Sequence, residues 1–355
     1  MNDRRFGEIR SLLHSNPPSE QLWKQLTSLL WGWRNLLPAE MMASYCESHM
    51  SDWPDDLRTI SKGWLKAILR GDDNPLFSLA RTLHIKNKQI NQDKFSTIAA
   101  CRSLSKLSSI DLSSNRLVNT VDDDHLWIED LKQSPFLDTL EHLYLHMCSL
   151  NTDAIERLSE VNLQNLKSLE LDYNFQIIGL LTFFKSAHAP RSLEHLSLLG
   201  NVNYPETDTH HNTGTNVDRR RHYLRPNHLE DLLESIPTLR SLDLTMCKFD
   251  PLPLARQHHL AKLQKLSISI DFSQNAWLKL IQDPSYLPEL HELHIRYTGY
   301  GQLDLDKLWS VLEQRIHTSE LTHIALPQHA LTHIKPHLTE ELTRRVHFSQ
   351  SMSPF

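Results

Sequence analysis

Two histidines and a tyrosine alternate along one short stretch, and side chains of these types can ligate a metal ion. They are His142, Tyr144 and His146, with single leucines between them. Alternation at a period of two predicts a β-strand that carries all three side chains on one face. His142 and His146 would then lie roughly 13 Å apart along the strand. Zinc needs three or four ligands at about 2 Å, so we predict neither a metal site nor a cofactor.

A catalytic thiol is the second chemical possibility. Cys46 lies three residues before His49 in a segment with helical spacing, and a thiol beside an imidazole can act as a nucleophile. A buried and unreactive thiol is the more common state of such a cysteine. The sequence contains no G-x-S-x-G, no P-loop and no H-E-x-x-H pattern. We therefore predict that the protein is not an enzyme.

The elements that would position any site are set by a repeated leucine pattern. Its clearest copy runs from Leu107 to Leu117 and reads L-x-x-L-x-L-x-x-N-x-L, with Ile110 in place of one leucine. Because side chains alternate along a strand, the leucines are predicted to face a core and the residues between them to face outward. The ninth position, Asn or Cys, turns the chain out of the strand. Cys148 and Cys247 occupy that position, which predicts a structural role for both.

In this pattern the chain resembles the leucine-rich repeat family. Most copies are about 24 to 33 residues long, which is similar to ribonuclease-inhibitor-like repeats. The resemblance covers residues 76–349 as about nine repeats and implies an α/β solenoid, with a curved parallel sheet inside and helices outside. A last short strand is expected near Val346. The interval from Leu193 to Leu239 is longer than the others by roughly 20 residues, which predicts a polar insertion at 203–222.

Residues 1–75 lack the repeat and carry apolar residues at helical spacing, as at Leu22 and Leu26. We predict an all-helical N-terminal cap domain that covers the apolar end of the repeats. The same region also resembles an F-box, in the Leu-Pro pair at 37–38 and in the Ser-x-x-Trp element at 61–64. That resemblance implies an alternative function, an F-box-like substrate-recognition subunit of a ubiquitin ligase.

Composition narrows the class of protein further. The net charge of −6 gives no general attraction to nucleic acid. No apolar run is long enough for a membrane span, and no secretory signal precedes the first helix. The cysteines are widely separated, which is typical of a reducing compartment. We predict a cytoplasmic monomer that binds neither nucleic acid nor membrane.

The predicted binding surface is the concave face of the sheet, because it is the largest organised surface of a solenoid. Tyr, Met and Arg are enriched in protein interfaces, and the outward-facing positions carry them beside carboxylates and histidines. We predict a non-enzymatic protein–protein interaction module, such as a bacterial effector or an inhibitor or immunity-type scaffold. Its predicted partner-binding residues are His142, Tyr144, His146, Glu170, Asp172, Tyr173, His195, Asp243, Met246, Glu292, His294, Arg296 and Tyr297.

Overall fold

The computed structural model describes residues 2–31, 39–117, 125–174, 179–201, 226–247, 258–270, 274–296, 304–318 and 321–349. The predicted insertion at 203–222, the predicted site residue Tyr297 and the Leu-Pro pair at 37–38 lie outside these ranges. The chain divides into two compact units. Unit 1 comprises residues 1–148 and 160–166, and unit 2 comprises residues 149–159 and 167–355.

Unit 1 begins with four helices, α1 (Asn2–Ser15), α2 (Glu20–Trp31), α3 (Ala39–His49) and α4 (Lys62–Ile68). Ser19 begins α2, since its hydroxyl oxygen accepts a hydrogen bond from the amide of Leu22 at 3.2 Å. The Ser-x-x-Trp element begins α4 in the same way. The Ser61 hydroxyl oxygen caps this helix by accepting a hydrogen bond from the Trp64 amide at 3.3 Å. The Trp64 ring is buried in the core of these helices.

The repeats of unit 1 follow these helices. They contain strands β1 (Thr82–His84), β2 (Ser109–Asp111) and β3 (His142–Tyr144), with helices α5 (Gln92–Ala99) and α6 (Leu126–Lys132) in the connections. The strands pair in parallel in chain order. A parallel pair requires a crossover between its strands, and the helical connections provide it.

Unit 2 continues the pattern with seven strands among its described residues. These are β4 (Ser168–Glu170), β5 (His195–Ser197), β6 (Ser241–Leu244), β7 (Lys265–Ser269), β8 (Glu292–Arg296), β9 (His323–Pro327) and β10 (Val346–Ser349). Neighbours in the chain pair in parallel. The helices are α7 (Thr152–Leu158), α8 (Gly179–Lys185), α9 (Pro226–Glu234), α10 (Gln274–Gln282), α11 (Leu305–Thr318), α12 (Leu331–Ile334) and α13 (Glu340–Arg345).

The predicted repeat register is confirmed. Each of the first nine strands begins at the third position of its repeat, and the fourth-position residues Leu83, Ile110, Leu143, Leu169, Leu196, Leu242, Leu266, Leu293 and Ile324 are buried. The predicted last strand is also present as β10. The fold is therefore an α/β leucine-rich repeat architecture with a helical N-terminal segment.

The ninth-position residues hold successive turns of the chain together. Asn115 accepts hydrogen bonds from the amides of Lys88 and Ile90 in the preceding repeat, both at 3.0 Å. Its amide group donates to the carbonyls of Ile85 and Leu112, both at 2.8 Å. One side chain thus satisfies backbone groups in two repeats, which explains why an amide recurs there.

Cysteines at the ninth position also contact carbonyl groups of the preceding repeat. The Cys148 thiol contacts the Leu112 carbonyl at 3.4 Å, and the Cys247 thiol contacts the Leu198 carbonyl at 3.1 Å. Burial raises the pKa of the Cys148 thiol to about 12, so it stays protonated and can donate to the carbonyl. These contacts confirm the predicted structural role of both residues. Within the described ranges, no helix has both the length and the apolar character needed to cross a bilayer.

Candidate functional site

The predicted residues of unit 1 share one strand face. His142 and Tyr144 lie in β3, where His142 pairs with Ser109 of β2. Their side chains and that of His146 are half-buried, and Met147 beyond the strand is 59% exposed. The backbone amide of His146 donates to the Ser113 hydroxyl at 3.1 Å, which fixes the end of the strand. Strand β3 thus carries His142 and Tyr144, and His146 lies two residues beyond its end.

Glu170, His195 and Ser241 form a line across strands β4, β5 and β6 of unit 2. The His195 Nε2 atom lies 3.4 Å from Glu170 Oε1, and its Nδ1 atom lies 2.8 Å from Ser241 Oγ. Carboxylate, imidazole and hydroxyl are the groups of a nucleophilic triad. The nearby strand amides of His195 and Ser241 are already bonded to Lys167 and Glu194 carbonyls, so they do not provide an oxyanion hole. The line is better explained as cross-strand pairing.

Asp172 has a structural role at the exit of β4. Its side chain is only 5% exposed. Its Oδ1 atom accepts from the Ser197 hydroxyl at 2.6 Å and from the Leu199 amide at 3.0 Å. A carboxylate that satisfies two donors of the next repeat has little surface left for a partner.

Asp243 occupies a half-buried position in β6. Burial raises the pKa of its carboxyl, and the charge of Asp172 raises it further. The Thr245 hydroxyl and amide and the Arg296 guanidinium act in the opposite direction and lower the pKa of this carboxyl. The negative charge at Asp243 is therefore held in an environment that disfavours it, a property that is frequent at functional sites.

Tyr173 and Met246 lie together at the exits of β4 and β6. The Tyr173 hydroxyl is 3.7 Å from the Met246 sulfur, and both side chains are half-buried. Both residues adopt the left-handed backbone conformation, with φ of 55° and 61°. The same conformation recurs at the eighth position of other repeats, at Asn87, Ser114, Met147 and Gly200. In each of these repeats this turn follows the strand.

Gly200 makes room for the Tyr173 ring. It has a φ of +68°, and a Cβ atom at this position would lie 2.3 Å from Cε1 of Tyr173. No side chain larger than hydrogen fits without displacing the ring, which therefore rests on the Gly200 backbone. Sequence reasoning did not find this contact. The sequence did offer one signal for it, namely a glycine at the eighth position of its repeat.

Cationic and imidazole groups occupy the face of β7 to β10. Lys265 Nζ lies 3.1 Å from Glu292 Oε2, and His294 Nε2 lies 3.8 Å from the same oxygen. Arg296 is exposed at the end of β8. His323 and His347 extend this cluster but were not among the predicted residues. The register places His323 at a third position, so the repeat pattern contained a signal for it.

No protein-family profile matches the chain, and no curated protein matches it in sequence. Its structure is similar to the leucine-rich repeat-containing protein LegL7 from Legionella pneumophila, at 15% identity, a TM-score of 0.46, and 77% and 84% coverage of this chain and that one. It is also similar to a chain of the yeast Rad7–Elc1 complex, at 15% identity, a TM-score of 0.42, and 75% and 69% coverage. An internalin (InlF) from Listeria monocytogenes shares 16% identity, a TM-score of 0.40, and 87% and 74% coverage. At these values the fold assignment rests on the chain's own repeat register and strand pairing.

Proposed function

We propose that the protein is a non-enzymatic interaction module that binds a protein partner on the strand face of unit 2. The observation that carries the proposal is the contact between Tyr173 and Met246. A half-buried aromatic ring and a thioether, held in place by the turn conformation and by Gly200, form a preorganised apolar patch. Aromatic residues and methionine are enriched in interfaces, and preorganisation lowers the entropy lost on binding.

The charges around this patch specify the partner's chemistry. Glu170 and Asp243 are half-buried carboxylates on the same face, in β4 and β6. A partner that presents Lys or Arg beside an apolar side chain would complement them. An effector, an inhibitor or an immunity-type protein would all use such a surface.

The test is affinity capture followed by mass spectrometry, with the full chain as bait. We expect a captured partner to be lost with Y173S/M246S and weakened by at least about tenfold with E170K, since each removes one component of the surface. The matched control is K185E, because Lys185 forms an exposed ion pair with Asp231 on a helix of the same unit. Retention of every captured protein by both face variants would refute this placement.

The N-terminal helices support a second candidate, the F-box-like adaptor function. Met41 on α3 is 73% exposed, so it is the apolar side chain that an adaptor docked on this helix would contact. The full chain would then co-purify with an adaptor subunit of a ubiquitin ligase. The M41S variant should lose the adaptor, whereas E8Q on α1 should keep it. Loss of binding with the Y173S/M246S variant instead would assign the contact to the strand face.

A further inference from the structure

Three histidines from three adjacent strands lie next to one another in unit 2. The rings of His294 in β8 and His323 in β9 have centroids 5.5 Å apart and are tilted by 53°. The rings of His323 and His347 in β10 are nearly parallel, at 4.5 Å and 24°. None of the three belongs to the Tyr173 patch. We call His294, His323 and His347 the histidine stack.

Fixed charges surround the histidine stack. Strand β7 contributes Lys265, and β8 contributes Glu292 and Arg296, all of which interact electrostatically with His294. With neutral imidazoles, Glu292 offsets the charge of Lys265, and Asp243 offsets part of the charge of Arg296. Each protonated imidazole adds one further positive charge to this small area.

Protonation of His294 is opposed in the free protein. Burial lowers the pKa of His294, and the charges of Lys265, His323 and Arg296 lower it further, while Glu292 raises it. An external carboxylate placed over the stack would remove this opposition, because it stabilises the charged form of each ring.

A metal ion is a poorer occupant than a carboxylate. The lone pairs of an imidazole lie in the ring plane, so two nearly parallel rings direct them side by side and not toward one point. Zinc requires ligands that converge at about 2 Å. A nucleic acid is also disfavoured, because its phosphate backbone would continue across the carboxylates of Glu170 and Asp243 in the same unit. A short acidic peptide segment fits the charged area without that repulsion.

We propose that Lys265, Arg296 and the histidine stack bind an acidic segment of the partner protein, and that acidification strengthens this contact. The proposal rests on the proposed function, in that the strand face of unit 2 receives a partner. It adds a second contact area on β7 to β10, with the charge opposite to that of the Tyr173 patch. It also makes binding dependent on pH in the range in which imidazoles titrate.

The probe is a fluorescein-labelled hexa-aspartate peptide, titrated with the full chain at pH 5.8 and pH 7.8 and equal ionic strength. Fluorescence anisotropy should show binding about tenfold tighter at pH 5.8. A hexaserine peptide should not bind. The double variant H323Q/H347Q should lose the gain at pH 5.8, whereas the control H188Q, which changes an exposed histidine of unit 2 outside the strands, should retain it. Circular dichroism at both pH values establishes that each variant is folded.

Three results would overturn the proposal. The first is equal affinity at the two pH values, and the second is a gain at pH 5.8 that persists in H323Q/H347Q. The third is a single-stranded DNA oligonucleotide of equal charge that binds as tightly and with the same pH gain, which would indicate general polyanion attraction. The Tyr173 patch is tested separately, since hexa-aspartate has no apolar or cationic group for it. Failure here would therefore leave the capture experiment with Y173S/M246S unaffected.

Discussion

Arg58 is a fully buried cation whose guanidinium donates to Glu47 across the N-terminal part of unit 1. The Nη2 atom of Arg58 lies 2.6 Å from Glu47 Oε2, and the Arg58 side chain is only 2% exposed. Its Nε atom donates to the Leu79 carbonyl at 2.8 Å. Glu47 also receives a hydrogen bond from Arg81, just before β1. One carboxylate thus links α3 to the start of the repeats.

Replacement of Glu47 should therefore destabilise unit 1. In E47Q the buried Arg58 charge loses its counter-ion, and breaking a buried pair from one side costs about 3 kcal/mol. Chemical denaturation, monitored by circular dichroism, measures the free energy of unfolding. The control is E8Q, which removes an exposed pair with Arg4 and should cost less than about 0.5 kcal/mol. Equal stabilities for the two variants would contradict the role assigned to Glu47.

Asn115 provides the second prediction. N115A leaves the Lys88 and Ile90 amides and the Ile85 carbonyl without their bonds to this side chain, and we expect a loss of about 3 kcal/mol. N115C should be milder, because the cysteines at equivalent positions retain one bond to a carbonyl of the preceding repeat. Urea denaturation ranks the variants. A cysteine variant as unstable as the alanine variant would show that the thiol bond contributes nothing.

Gly200 tests the support of the Tyr173 ring. G200A places a Cβ atom within 2.3 Å of that ring, so the ring must move, and partner binding should fall together with stability. G71A is the control, since Gly71 also has a positive φ, of 85°, but has no atom within 4 Å of the added Cβ. It should cost only about 1 kcal/mol of backbone strain. Melting temperature and partner affinity are measured for both, and an undiminished affinity in G200A would argue against the patch.

The Asp243 carboxyl should reduce stability at neutral pH. Its pKa is raised in the folded protein, so the folded state binds the proton more tightly than the unfolded state does. The stabilisation from this proton is present at low pH and is lost as pH rises through the folded pKa. We expect D243N to raise the melting temperature at pH 7 by on the order of 1 °C, and less at pH 4. A decrease at pH 7 would mean that the charge itself stabilises the fold.

The cysteines provide a test of the enzymatic alternative. Burial, with a smaller contribution from the charge of Glu47, raises the pKa of the Cys46 thiol to about 12. Burial also raises the pKa of Cys101 to about 12. Since the thiolate is the reactive form, iodoacetamide at pH 8 should modify neither in the folded protein and both after unfolding. Rapid alkylation of Cys46 in the folded state, detected by mass spectrometry, would restore a catalytic thiol as a possibility.

The repeat pattern predicted the local architecture closely. The alternation around Leu143 and Leu242 placed the strands at the correct residues, and the spacing after Thr152 predicted the helix that is now α7. Candidate site residues were predicted less completely. Asp172 and Asp243 were both predicted to contact a partner. Asp172, at a seventh repeat position, is enclosed by hydrogen bonds to the next repeat, whereas Asp243, at a fifth position, is half-buried.

The sequence by itself determined which residues form strands, which side chains enter the core and where the turns occur. The physical reason is that alternation, turn conformation and the ninth-position amide act over a few residues and repeat at a regular interval. Only the tertiary structure decided which outward side chains meet. Tyr173 contacts Met246 and Gly200 from other repeats, His294 meets His323, and Arg58 meets Glu47. These contacts depend on how connections of unequal length bring strands and helices together, which no local pattern specifies.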